Sequence, residues 1–573
     1  MTYQKSKIKP VSFPRRRESR RSWIPVFTGM TILLYIIFIL PFSVSAATPP
    51  NNKFGMFLAQ PNIDQLSEVK ELINSNGGDW GYVTLIIEEK DRNKEKWQGI
   101  FDQLRTLHLV PIIRLATSAE GENWRRPETK EAQSWADFLD SLNWVTKNRY
   151  ITLFNEPNHG SEWGGEVDAK SYAEISFEFA KKLKEKNKDF FIMLAGMDAS
   201  APSWMPGMED EEKFLREIVQ GLTLPEGQTL QNIDGLASHS YPNPAFAGSP
   251  YATGRGTIRT YEWELALLKE LGVTKELPVF ITETGWKRGG ENIVADYFQS
   301  AFDQIWNPDS RVVAVTPFVF DYQGEPFLDF SWKKYNSQDY YQQYYSVQSM
   351  SKIKGEPEQI EKGWISFKFP TDLVVQSTYH FKVKLNNLGQ AVWDKDSNYQ
   401  LSMINDQSKI PDYLFDDLKD INPFEEKDVY FTLKTNEDLG NKKIKFVLQK
   451  NDKNILLSDD WNINILPLPS LKFETWGRGD NYEIQIFDVD DQLVFKKKSL
   501  SVVNNLGELK DIQNIALDEL YRVVLLKPYH LPRQEFIVFK REGNIIKFKQ
   551  LLPFDFNNDG TFNFKDLLRL LGR

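Results

Sequence analysis

Eight short apolar runs, rich in β-branched and aromatic residues, recur between stretches of helical periodicity, and they restrict the fold more than any other feature of the sequence. They are FGMF at 54, GYVTLII at 81, VPIIRLA at 110, YITLFNE at 150, FFIMLAG at 190, IDGLASHSY at 233, PVFITETGW at 278 and VVAVTPFVF at 312. Between them, segments such as AKSYAEISFEFAKKLKEKN at 169 place apolar residues three and four apart, as a helix packed on one face requires. Near-continuous apolar strands alternating with such helices predict a parallel sheet covered on both faces. Eight such units over residues 51–350 match an α/β fold, the (β/α)8 TIM barrel. An open doubly wound sheet competes, but no G-x-G-x-x-G follows the first run, which weakens a dinucleotide reading.

After about Pro357 the pattern changes. WISFKF, YHFKVKL, VYFTLK and KIKFVLQK alternate without helices between them, predicting an antiparallel β-sandwich over 357–466. LPLPS at 466 reads as a linker, and YEIQIFD, QLVFKKKSLSV, LYRVVLLKP and EFIVFKRE predict a second β-sandwich over 469–550. The stretch KVKLNNLGQAVWDKDSNYQLS resembles immunoglobulin-like (Ig-like) modules of bacterial surface proteins through Asn387, Gly389 and Trp393. A hairpin turn before a core tryptophan accounts for the same residues.

The N-terminus is basic from Lys5 to Arg21 and then uncharged from Ser22, with MTILLYIIFILPF as its most apolar part and the small residues SVSAA at 43–47. This is the layout of an export signal over residues 1–47 with an A-x-A-like cleavage site, and it predicts a secreted or cell-surface protein. Trp23 to Val44 taken whole could also span a bilayer, so an uncleaved membrane anchor stays open. A net charge of −9 spread through mixed-sign sequence offers no broad basic surface for nucleic acid. With no cysteine, thiolate catalysis and disulfide stapling are both excluded.

On the barrel reading Glu156 lies just past the fourth strand and Glu283 ends the seventh, so both face the rim where strand C-termini converge. In such a mouth, desolvation and mutual repulsion can keep one carboxyl protonated while the other ionises, the division a general acid and a nucleophile need. Arg114, at the end of the third strand, could donate to the nucleophile, or could form a plain rim ion pair. FNEPNH and FITETGW resemble the strand-4 and strand-7 signatures of clan A glycoside hydrolases, which include many cellulases and mannanases. The resemblance implies Glu156 as acid/base, Glu283 as nucleophile, Asn155 as donor to a sugar 2-hydroxyl, Tyr241 as partner of the nucleophile and His239 as a subsite ligand. It implies a polysaccharide or oligosaccharide substrate, cleaved with retention and without a catalytic cofactor.

Strand 8 departs from the family pattern, with Phe318, Phe320 and Asp321 where many members place a tryptophan platform. Trp286 is expected to supply that stacking face, and Trp80, Trp124, Trp163 and Trp204 to line rim loops of an extended groove, which favours endo-action. The competing class is a non-hydrolytic cell-surface carbohydrate-binding protein.

Finally, DFNNDGTFNFKD at 555 puts oxygen-bearing side chains at positions 1, 3, 5, 9 and 12 of a loop with glycine at 6, an EF-hand-like geometry for Ca2+. Asp555, Asn557, Asp559 and Asp566 would ligate through side chains and Thr561 through its carbonyl, while Asn563 could act directly or through a water. The segment 551–573 resembles one dockerin repeat. A full dockerin has two, so a structural calcium is expected here rather than a cohesin partner.

Overall fold

The computed structural model describes residues 50–221, 230–289, 291–405 and 410–572. The expected export segment lies outside them. Among the described residues no helix is long and apolar enough to cross a membrane.

Each of the eight apolar runs carries one strand: β1 (Gly55–Leu58), β2 (Gly81–Glu88), β3 (Leu109–Ala116), β4 (Arg149–Leu153), β5 (Phe190–Leu194), β6 (Leu236–His239), β7 (Val279–Glu283) and β8 (Val312–Val315). β1 to β5 form one parallel sheet in sequence order and β6 to β8 another. Parallel bridges Phe54–Val315 and Met193–Gly235 join the two at both seams, consistent with a closed (β/α)8 barrel. Its lower interior is filled by Tyr82, Val110, Ile112, Tyr150, Met193, Ala237, Phe280 and Ala314. Above them comes a buried layer that includes Thr84, Thr152, Thr282 and Thr316, where the Thr84 and Thr316 hydroxyls meet at 2.8 Å.

Helices α1 (Ile63–Ile73), α2 (Lys94–Thr106), α3 (Ala132–Asp140), α4 (Ala169–Lys186), α5 (Glu211–Gly221), α6 (Thr260–Glu270), α7 (Glu291–Ala301) and α8 (Gln342–Ser349) accompany the strands. Local chemistry fixes their starts: Asn62, Asn93 and Asp168 each accept a hydrogen bond from a first-turn N–H of α1, α2 and α4.

Residues 363–466 form a four-stranded and a five-stranded sheet around one apolar core. Asn387 donates to the carbonyls of Ala391 and Ile421 and accepts from Gly389 N–H, and Trp393 is fully buried, so this stretch is a turn locked over a core indole. From Leu471 to Lys547 the strands do not make the second pair of sheets expected from sequence. Seven strands join in one sheet around its own core. The strands Gly479–Phe487 and Leu493–Val503 pair with three register shifts, and bulges of this kind bend and coil a sheet until it can cover its own apolar face.

Candidate active site

The mouth at the C-terminal ends of the strands is built by two local departures from regular strand geometry. The first ends β4. Phe154 adopts a φ of +71° and turns its ring to Trp163 and to Phe179 of α4, with centroids 5.6 and 5.3 Å away. Glu156, at φ +29°, is held by N–H donation to the Gly196 carbonyl at 3.2 Å. Left-handed backbone at such non-glycine residues costs about 1–3 kcal/mol each and persists where surrounding structure over-determines it.

The second departure lies in β7. Ser238 pairs with Ile281 but His239 pairs with Glu283, so β7 carries one extra residue. Phe280 and Thr282 belong to the filled interior; unbroken alternation would therefore aim Glu283 at the helices. The bulge resets the phase and brings its carboxylate into the mouth.

The side chains that converge form one network. Arg114 Nη1 donates to Glu283 Oε1 and to Asn155 Oδ1, both at 2.6 Å. Tyr241 OH donates to Glu283 Oε2 at 3.1 Å. His239 Nδ1 lies 2.8 Å from Glu156 Oε1. A carboxylate oxygen of Glu156, one of Glu283 and a ring nitrogen of His239 all lie within 4.8 Å of one another. Burial works against charge on His239, but the Glu283 and Glu156 carboxylates outweigh it and raise its pKa. Burial, with Glu283 beside it, pushes Tyr241 well above its usual range, so the phenol keeps its proton to donate. The Glu–His–Glu spacing alone would also suit a metal, but the guanidinium 2.6 Å from Glu283 already supplies a cation there.

Of the residues singled out from sequence, Arg114, Asn155, Glu156, His239, Tyr241 and Glu283 are thus brought together. Trp286 is not. It is 3% exposed, packs edge-on to Phe298, and donates its indole N–H to the Gly248 carbonyl at 2.8 Å. An indole whose N–H finds a backbone partner is stable in a core, and no face is left for a sugar. Trp163 is likewise buried. Trp80 precedes β2 and stacks on His108 at the opposite end of the barrel. Trp124 half-lines the mouth, and Trp204 is 81% exposed. At the end of β8, half-buried Phe318 sits among Phe57, Phe327 and Phe330, part of the apolar cluster that also touches Tyr241.

Two contributors had gone unread. Gly196, two residues past β5, lies under the His239 ring, where an added Cβ would come within 2.2 Å of that ring; the glycine in FFIMLAG was the available signal. Glu162, in the short turn Gly160–Glu162, shares a cavity with Arg114, Trp124 and Asn155.

The residues of the C-terminal loop are tied together by hydrogen bonds. Asp555 accepts from the N–H groups of Asp559 and Gly560, and Asp566 from those of Asn557 and Asn563. Gly560 has φ +84°, which explains glycine at the sixth place. Hydrogen bonds from Thr561 and Asn557 hold Asp559 down to about 2. The donor set, oxygen only and anionic, fits a hard divalent cation.

No family model matches the chain, and no curated protein matches it. Among solved structures it is similar to a monomeric beta-xylosidase from Caulobacter crescentus, at 11% identity over 84% of this chain and 97% of that one, with a TM-score of 0.38. It is also similar to an endo-beta-1,4-glucanase from Xanthomonas axonopodis pv. citri, at 9% identity over 52% and 97% of the two chains (TM-score 0.36). A beta-mannanase from Thermomonospora fusca matches at 12% identity over 52% and 92% (TM-score 0.35).

Proposed function

We propose that this protein is an exported glycoside hydrolase that cleaves β-glycosidic bonds of a polysaccharide with retention. The observation that carries the reading is the pair Glu156 and Glu283, facing each other across the mouth with carboxylate oxygens within 4.8 Å. Double displacement needs carboxyls about 5 to 5.5 Å apart, whereas inversion needs room for a water between them.

Glu283 attacks the anomeric carbon while Glu156 protonates the departing oxygen. Glu156 then takes a proton from the water that hydrolyses the glycosyl-enzyme. Arg114 and Tyr241, one on each oxygen of Glu283, fix the plane of the nucleophile. His239 sets the orientation of Glu156. Asn155, held by Arg114, is placed to donate to the sugar 2-hydroxyl. The exposed Trp204, on the loop whose Gly207 carbonyl accepts from Gly160 N–H at 2.8 Å, supports an extended groove and endo-action. Ca2+ in the 555–566 loop would be structural, with no part in these steps.

Reducing-sugar release from β-glucans, mannans, xylans and galactans by residues 48–573 tests the reading, with NMR of the first-formed anomer. Activity should fall by about 10²–10⁴-fold or more in Glu156→Gln and in Glu283→Gln, with a retained anomer from wild type. Silence across the panel, with polysaccharide binding kept by all three proteins, would establish the non-hydrolytic binding protein instead. An inverted product would refute double displacement.

A further inference from the structure

The loop that joins β5 to α5 is fastened along its length to the residues just after Glu156, yet it leaves its tryptophan in solvent. Asn158 is fully buried; it donates its amide to the Asp198 and Glu209 carbonyls at 2.9 and 3.1 Å and accepts from Asp198 N–H at 3.2 Å. The Asp198 carboxylate in turn lies 2.9 Å from His159 Nε2. His159 also forms an antiparallel bridge with Met208. Gly160 N–H donates to the Gly207 carbonyl at 2.8 Å, and Glu209 N–H to that of Asn158 at 2.9 Å. Within the loop, Met205 N–H closes on the Pro202 carbonyl and Met208 N–H on that of Met205, at 3.1 and 3.2 Å, while Ser203 Oγ receives Asp210 N–H at 2.9 Å. A backbone held at so many points keeps one shape. It holds Trp204, 81% exposed, as a fixed flat face that forgoes the burial an indole usually finds.

We propose that Trp204 is a specificity-determining residue: it stacks a sugar of the leaving group, the part of the polysaccharide that departs when Glu156 protonates the glycosidic oxygen. This rests on reading the mouth as the site of glycoside cleavage. Glu283 addresses the anomeric carbon of the sugar that stays, and Glu156 addresses the oxygen that leaves, so the direction from Glu283 to Glu156 runs toward the leaving group. Around the barrel that direction leads from β7 to β4, and the Trp204 loop is bonded to the segment after β4. The opposite wall, across β8 and β1, carries the cluster of Phe57, Phe318 and Phe330 that touches Tyr241, the partner of Glu283. The sugar that stays is thus assigned to the phenylalanine wall and the departing chain to Trp204. Because the loop is already ordered, little freedom is lost when a pyranose ring settles on the indole.

Comparing two leaving groups tests the assignment. On the glycan cleaved in the panel, Trp204→Ala should lower kcat/KM by about tenfold, and Trp204→Phe by less, since a smaller ring keeps part of the stacking. On the β-fluoride of the same glycosyl unit, whose leaving group is one atom with nothing to stack, both variants should match wild type. Their melting temperatures should also match, because the indole is exposed. Equal losses on glycan and fluoride would put Trp204 beside the sugar that stays and overturn the proposal. An unchanged kcat/KM on the glycan in Trp204→Ala would overturn it too and leave the glycosidase reading intact. If wild type cleaves neither glycan nor fluoride, the glycosidase reading fails and the leaving-group assignment falls with it.

Discussion

At the scale of single residues, the site depends on groups that carry no chemistry. Gly196 accepts the backbone N–H of Glu156 and lies beneath the ring that orients the same glutamate. A Cβ there would meet His239 Cδ2 at 2.2 Å and Nε2 at 2.8 Å, inside contact distance. Gly196→Ala must displace the ring from Glu156, so kcat is expected to fall by about tenfold or more, while overpacking costs about 1–3 kcal/mol of stability. Steady-state kinetics beside a thermal melt checks this, and a folded variant with wild-type kcat would disprove the packing role. The six converging side chains were legible because strand ends point to one rim whatever the loops do. The bulge in β7 was not, since nothing in PVFITETGW marks which residue is extra. Nor was the burial of Trp286, because a loop indole and a core indole look alike until a partner such as the Gly248 carbonyl is placed.

At the scale of elements, helices α5 and α6 bring two glutamates together behind β6. Glu211 and Glu264 are 0% and 1% exposed, and Arg255, Asp198, Ser238 and His239 are the other groups that face them. Burial pushes both carboxyls above the ordinary 4.5, and Glu264 pushes Glu211 further. Below that value folded and unfolded chains are alike protonated, and the pair's contribution to stability is fully present. As pH rises, the unfolded chain releases these protons freely while the folded pair retains them, so stability is lost as pH climbs through the raised folded values. Melting temperature should thus decline more steeply from about pH 5 to pH 8 in wild type than in Glu264→Gln, which keeps the shape and removes one of the two titrating carboxyls. Parallel slopes would show that the pair does not govern this range. Sequence could not announce the pair: each glutamate sits on an ordinary helix, and only the fold buries the two carboxyls together behind β6. The eight strands, by contrast, were plain from apolar runs alone, whereas the single curled sheet of 471–547 was hidden because its strands read like those of a sandwich.

At the scale of the whole molecule, successive units lock end to end and leave the mouth open. The sandwich grips the loop before β4, at the end of that strand away from Glu156: Gln390 Nε2 donates to the Thr146 carbonyl and Asn143 Nδ2 to that of Gly389, at 2.9 and 3.1 Å. The seven-stranded sheet then holds the sandwich through Asn514 and Ile515, which pair with Ser377, Thr378 and Tyr379. Last, the 555–566 loop closes on the turn between strands Leu520–Lys527 and His530–Val538, where Tyr529 donates to Asn558 Oδ1 at 2.8 Å and its carbonyl receives Asp555 N–H at 3.3 Å. A cation held there should therefore brace this last unit and leave the barrel untouched. Adding Ca2+ to hundredfold above its dissociation constant should stabilise the C-terminal calorimetric transition by about 2.7 kcal/mol, with the barrel transition and sugar release unchanged. Asp555→Ala and Asp566→Ala each remove a buried carboxylate that gathers two loop N–H groups, so both should abolish the shift. No calcium response in wild type would reduce the loop to a turn held by its own hydrogen bonds, and a response in catalytic rate would mean that the end-to-end contacts transmit strain to the barrel.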